Sequence, residues 1–169
     1  MRERNDIQNE GSNPTMQQGS ETRSADMVRK AMTSNPATCS ENDTVIRAAE
    51  LMVEHDCGAI PIVEGRTVKG MITDRDIVAR VVAKRADPGD KRVSEVMSEG
   101  VQTIREDESL ERAFEMMSQH KVRRLPVVNS NGELTGMLAQ ADLALDTKQD
   151  SRLADTVEEI SEPNRSTRA

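Results

Sequence analysis

Gly70-Met71-Ile72-Thr73-Asp74-Arg75-Asp76-Ile77-Val78 reads as a short apolar strand that turns at once into a helix with a polar, charged first turn. Thr73 and Asp76 stand three residues apart at that junction. This is the spacing of a capping box, in which a hydroxyl and a carboxylate each close on the other's backbone N–H. The same hydroxyl and carboxylate, beside the unpaired N–H groups of a helix start, also make a cradle for a phosphorylated sugar. Both readings stand open on the motif alone.

Working back from this stretch, Glu64-Gly65-Arg66 forms a turn, and Ala59-Ile60-Pro61-Ile62-Val63 before it is an apolar run of strand length. Val45, Ala48, Leu51 and Met52 mark one face of a helix from Val45 to His55, with Asn42, Asp43 and Thr44 as candidate N-caps and Gly58 as its end. Pro36-Ala37-Thr38-Cys39 is a brief extended piece, and Val28 and Met32 sit in a short lead-in helix that breaks at Asn35-Pro36. Forward of the stretch, Ile77, Val78, Val81 and Val82 continue the helix to about Ala83, and Asp87-Pro88-Gly89-Asp90 is a linker.

A shift of 65 residues lays the second half of the chain over the first. Val28, Met32, Thr38, Val45, Ala48, Met52, His55, Pro61 and Val63 fall on Val93, Met97, Thr103, Leu110, Ala113, Met117, His120, Pro126 and Val128. One extra residue in the hairpin Asn129-Ser130-Asn131-Gly132-Glu133 moves the offset to 66, where Gly70, Met71 and Asp76 meet Gly136, Met137 and Asp142. The fold class that follows is α+β, two tandem β-α-β-β-α repeats packed with pseudo-two-fold symmetry. Each repeat is too small to bury both faces of its sheet alone, so the two must pack together. The expected organisation is a disordered arm at 1–25, repeat 1 at 26–86, repeat 2 with its linker at 87–145, and a polar tail at 146–169. Val157 and Ile160 would fall on one face of a short helix there, but Pro163 ends it and a loose tail is expected.

With 169 residues and a single aromatic, Phe114, the core has to be built from Val, Ile, Leu, Ala and ten Met. Met52 and Met116-Met117 are core filler at helical spacing. The formal charge is −7, of which −4 lies between the two terminal segments, so attraction to nucleic acid or to an anionic membrane is disfavoured. No stretch approaches the roughly 20 apolar residues of a membrane span and no leader pattern is visible, so the chain is expected in the cytoplasm. Cys39 and Cys57 form no CxxC pair and read as reduced thiols, with a redox bond between them or a metal held with His55 as the minor alternatives. His55 and His120 each fall near a helix C-terminus, where an imidazole suits the dipole. No Ser-His-Asp set, P-loop or Rossmann glycine fingerprint is present, so no enzyme is expected.

Taken together, Val28-x-x-x-Met32 with its copy Val93-x-x-x-Met97, the strands Gly58-Ala59-Ile60-Pro61-Ile62-Val63 and Val122-Arg123-Arg124-Leu125-Pro126-Val127-Val128, and Gly70-Met71-Ile72-Thr73-x-x-Asp76 resemble a pair of cystathionine-β-synthase (CBS) domains, the Bateman module. The resemblance covers residues 26 to 145 and is closest in kind to small stand-alone bacterial members. It implies a cleft between the repeats that holds an adenosine-type ligand, AMP, ADP, ATP or S-adenosylmethionine, in up to two pseudo-symmetric sites. Transferred by position, Thr73 with Arg75 beside it faces phosphate and Asp76 takes the ribose hydroxyls, while Thr38 and Ala59-Ile60-Pro61 line the adenine. Thr103, Arg124-Leu125-Pro126 and Asp142 are the second set, and Arg123 and Arg124 are fork-shaped donors for phosphate from across the cleft. The resemblance also implies a homodimer formed through helices and an effector protein as the recipient of the signal. Ala139 stands where Thr73 stands in the first repeat. With no hydroxyl there to build a box, the retained Asp142 is expected to have more than a capping role.

Overall fold

The computed structural model describes residues 27–146, so the expectations for the arm at 1–25 and the tail beyond 146 lie outside the described residues. The elements run α1 (Val28–Ala31), β1 (Thr33–Ser34), α2 (Val45–Glu54), β2 (Ala59–Glu64), β3 (Thr67–Thr73) and α3 (Asp74–Ile77), which continues as a π-helical turn, Val78–Val82. A 3-10 turn at Val93–Glu95 leads into β4 (Ser98–Glu99), β5 (Ile104–Arg105), α4 (Leu110–His120), β6 (Arg124–Val128), β7 (Leu134–Ala139) and α5 (Gln140–Asp146).

Local chemistry accounts for the helix ends. Of the three candidate N-caps before α2, Thr44 is the one used, its hydroxyl accepting from the Arg47 N–H at 3.2 Å. Ser109 does the same for α4 toward Arg112 at 3.1 Å. Asp43 instead closes the preceding turn by accepting from the Ser40 N–H at 2.7 Å. Gly58 does not end α2: the left-handed residue there is Asp56, φ 47°, matched by Lys121, φ 52°, after α4. Both are non-glycine, and at each the amide one residue further on returns to the last helical turn, Cys57 to the Met52 carbonyl and Val122 to the Met117 carbonyl.

The repeats exchange their lead-in segments. β1 pairs with β7 of the second repeat, giving a sheet ordered β1-β7-β6-β5, while β4 pairs with β3 of the first, giving β2-β3-β4. β5 runs parallel to β6, and in the first repeat a lone parallel bridge from Cys39 to Ile62 takes its place. The hydrophobic cores follow the exchange. Val93, Val96 and Met97 pack with Ile60, Ile62, Ile72 and the buried face of α2, and Val28 packs with Leu125, Val127, Leu138 and the buried face of α4. Cutting the chain at 86/87 therefore separates each core from one of its own packing segments. Because the exchange is reciprocal, it carries the pseudo-two-fold relation of the halves.

The glycines shared by both copies of the Gly-Met motif sit where these lead-ins cross. A Cβ on Gly70 would stand 2.5 Å from the Ser98 carbonyl oxygen, and one on Gly136 would collide with the Met32 side chain. The linker closes the other end of the first repeat. The free amides of Val45 and Ile46 at the start of α2 donate to the carbonyls of Lys91 and Pro88, at 2.9 and 3.3 Å.

Candidate functional site

The opening motif folds as a complete capping box. Thr73 Oγ1 accepts from the Asp76 N–H at 3.2 Å, Asp76 Oδ2 accepts from the Thr73 N–H at 3.0 Å, and the Thr73 hydroxyl donates to the same Oδ2 at 2.6 Å. The other carboxylate oxygen, Oδ1, faces Arg80 Nη2 at 3.5 Å. Asp76 is thus half-buried with one oxygen committed to the backbone and one turned to a side-chain partner.

The second copy corrects the reading of Asp142. Its Oδ2 accepts from the Ala139 N–H at 2.8 Å, the counterpart of the Asp76 bond to Thr73. The carboxylate's half of a capping box needs only the backbone at the N-cap, so it survives loss of the hydroxyl. Asp142 therefore has a capping role without a hydroxyl at 139.

Side-chain alternation separates the core from the face between the repeats. Ile60, Ile62 and Ile72 are fully buried in the first core, so the residues adjacent to them along the strands, in the cross-strand pairs Ala59–Thr73 and Pro61–Met71, point the other way. In the second repeat the same parity turns Leu125, Val127 and Leu138 inward and Arg124, Pro126, Met137 and Ala139 outward. The expected lining residues Ile60 and Leu125 consequently offer only backbone to a ligand, their side chains being spent in the cores. Thr38, exposed, and Thr103, half-buried, lie just before the segments that run beside β2 and β6, so each flanks its strand on the side away from β3 or β7.

The two faces meet at Gly58. A Cβ built there would lie 2.9 Å from Asp74 Oδ2 and 3.4 Å from Arg124 Nη2, so the second repeat's guanidinium reaches the helix-start corner of the first. Backbone bonds hold these corners in the same way on both sides, Asp74 N–H to the Gly58 carbonyl and Gln140 N–H to the Arg123 carbonyl, at 3.2 and 2.9 Å. Arg123 and Arg75 are exposed. At the far end the hairpins touch, with the Leu134 N–H donating to the Arg66 carbonyl at 2.8 Å and Arg66 facing Glu133 at 3.9 Å. The repeats thus touch at one end through these hairpins and at the other through Gly58, Asp74 and Arg124.

The family model for the CBS domain matches residues 28–83 and 93–145. The chain belongs to the CBS domain family. It is 43% identical to the CBS domain-containing protein YhcV of Bacillus subtilis over 81% of this chain and 96% of that protein. Hypoxic response protein 1 of Mycobacterium tuberculosis is 33% identical over 69% of this chain and 82% of its own length. The crystal structure of Hypoxic Response Protein I with two coordinated zinc ions aligns with a TM-score of 0.64 at 32% identity, covering 70% of this chain and 97% of that one. A crystal structure of CBSX2 in complex with AMP aligns with a TM-score of 0.60 at 26% identity, over 78% and 98%.

Among the described residues there is no group of three or more His, Cys, Asp or Glu placed to hold a metal ion. Cys39, His55 and Cys57 are dispersed in environment: Cys39 buried, Cys57 half-buried and His55 exposed as the C-cap of α2. Burial, reinforced by the nearby Asp43 carboxylate, pushes the Cys39 thiol up to about 11, so it stays protonated and unreactive at neutral pH. No helix among the described residues is long and apolar enough to cross a membrane.

Two groups beside Gly58 and Asp76 were not singled out by sequence. Asp74 was visible in the motif but carried no assigned role, and Arg80 carried none either. The signal for Arg80 was its i,i+4 distance from Asp76, acid before base on one helical face.

Proposed function

We propose that the chain is a free-standing regulatory module that binds an adenine nucleotide between its two repeats and passes the occupancy to a separate effector protein. The observation that carries this reading is the corner where Arg124 of the second repeat reaches Gly58 and Asp74 of the first, beside Asp76. A fork-shaped cation from one repeat and a carboxylate with an uncapped oxygen from the other suit a phosphate and a ribose diol, respectively. The apolar outward face of Ala59, Pro61 and Met71 suits a purine between them. The relative bound to AMP supports the same ligand class. Arg75, exposed at the rim, and Thr38 and Thr103, beside the strands, complete the proposed contacts. In the second site Asp142 and Pro126 serve without a hydroxyl at 139.

A second reading, a dimeric interaction protein without nucleotide, is favoured by one observation: the Thr73 hydroxyl is already spent inside a closed box. Thermal shift against AMP, ADP, ATP, NADH, S-adenosylmethionine and cyclic di-AMP separates the two. A ligand at 100 times its dissociation constant adds about 2.7 kcal/mol. If none of the six raises the melting temperature, the second reading replaces the first.

We further infer a homodimer formed through the helices of repeat 1. Ile46, Val53, Val78 and Val82 are exposed there, Val53 at 84%. The second repeat has Glu111 and Ser118 where the first has Ile46 and Val53, so its corresponding helix face is polar. Repeat 1 would thus face repeat 1. Placing Asp at both Val53 and Val82 buries two charges in that contact and is expected to weaken dimerisation roughly 100-fold. Sedimentation velocity reads the change, and a wild-type protein that sediments as a monomer would sink this inference.

A further inference from the structure

Arg80 joins two parts of the molecule that lie far apart in the chain. Its Nη2 stands 3.5 Å from Asp76 Oδ1, while its Nη1 donates to the carbonyl of Met97 at 2.9 Å and to that of Val96. Val96 and Met97 close the turn that begins at Val93, and both are buried in the first core although they belong by sequence to the second repeat's lead-in. Ser98, the next residue, pairs with Met71 on β3. One guanidinium therefore holds the free oxygen of the cleft's carboxylate and the backbone of the exchanged segment together. It does so from the π-helical turn Val78–Val82, a local departure from α-helix of a kind often found at functional positions.

We propose that Arg80 is a positioning residue that couples the Asp76 site to the lead-in Val93–Glu99. Planar geometry favours it: the fork presents Nη2 to a carboxylate and Nη1 to two carbonyls from separate, fixed nitrogens, where an ammonium would have to serve all three acceptors from one. A donor arriving at Asp76 Oδ1 competes with Nη2 and draws the guanidinium off its bridging position. The hold on the Val96 and Met97 carbonyls then loosens, and the lead-in opens more often. The coupling is one-sided. At the offset of 66, position 80 falls on Asp146, a residue type whose side chain carries no N–H, so the sequence does not repeat the Arg80 donor in the second copy.

The idea rests on the nucleotide reading only for the identity of the arriving donor, and the tether can be tested without any ligand. Hydrogen–deuterium exchange of the full-length chain is followed for a peptide spanning 93–99, with one spanning 124–128 as the control for global opening. Arg80→Ala is expected to speed exchange at 93–99 by about tenfold without changing 124–128, and Arg80→Lys by a smaller factor. Asp76→Asn, which removes the charge that fixes Nη2, is expected to speed the same peptide about threefold when Arg80 is present and not at all in the Arg80→Ala background. Independent, additive effects of the two substitutions, or a rise at 124–128 equal to that at 93–99, would overturn the coupling. AMP supplies the remaining comparison. A thermal shift by AMP with no change at 93–99 overturns the coupling and leaves nucleotide binding standing. Absence of any shift removes AMP as the donor, and the substitution cycle alone then decides the tether.

Discussion

Gly70→Val is expected to lower the melting temperature by about 10 °C. The added Cβ has no room, since the Ser98 carbonyl oxygen lies 2.5 Å and Met97 Sδ 3.3 Å from where it must go. The oxygen is backbone, so it can retreat only if β4 lifts from β3. Overpacking of this kind costs about 1 to 3 kcal/mol, and a branched side chain against an immovable oxygen belongs at the upper end. For a domain of this size each kcal/mol is worth roughly 4 °C. Lifting β4 also disturbs Val96 and Met97, which fill the first core, so the loss should show as one cooperative transition in calorimetry. A loss below about 1 kcal/mol would mean that the lead-in peels away easily and contributes little to the core.

That prediction depends on a feature that the amino-acid pattern conceals. The repeat, its offset, the strand pairs and the buried faces of α2 and α4 were legible, because apolar spacing records which way a side chain faces. Val28 and Val93 face a core in both readings. Nothing in their spacing records which sheet provides that core, since the two copies are alike at every position that would have to discriminate. Gly70 and Gly136 mark a close backbone approach, yet a glycine does not name what approaches. For the same reason Gly58 read as a helix stop, where Asp56 supplies the left-handed turn and Gly58 leaves space for Asp74 and Arg124.

The candidate site was legible in its main chemistry and not in its bonding. The Thr73-x-x-Asp76 spacing gave the box, and the box is complete. The premise that position 139 needs a hydroxyl for Asp142 to cap the helix failed, because a capping carboxylate bonds to a backbone amide that every non-proline residue has, Ala139 included. The sequence comparison weighed side chains, and the relevant partner was main chain. Arg124 was legible as a donor, but its reach into the first repeat depends on how the faces oppose, which only the packed structure supplies.

Asp76→Ala is expected to reduce nucleotide affinity by about 10- to 100-fold, and Asp142→Ala by much less. Both substitutions remove a bond to the N-cap amide, so both cost stability, on the order of 1 kcal/mol for a lost cap. The ligand effect must therefore be read as the shift of each variant above its own ligand-free melting temperature. The oxygen that distinguishes Asp76 is Oδ1, outside the box and held only at 3.5 Å by Arg80. Hydrogen bonds from a ribose diol to an ionised carboxylate contribute about 1.5 to 3 kcal/mol, which is the origin of the expected fold-change. At a nucleotide concentration giving wild type about 2.7 kcal/mol, the Asp76→Ala variant should retain only about 0.4 to 1.4 kcal/mol. Asp142 lacks both a hydroxyl neighbour at 139 and, at position 146, a cation to pair with, so its site is the weaker of the two and its loss should leave most of the shift in place. Equal losses from the two substitutions would show that the sites are filled alike and that neither the Thr73 hydroxyl nor Arg80 sets them apart.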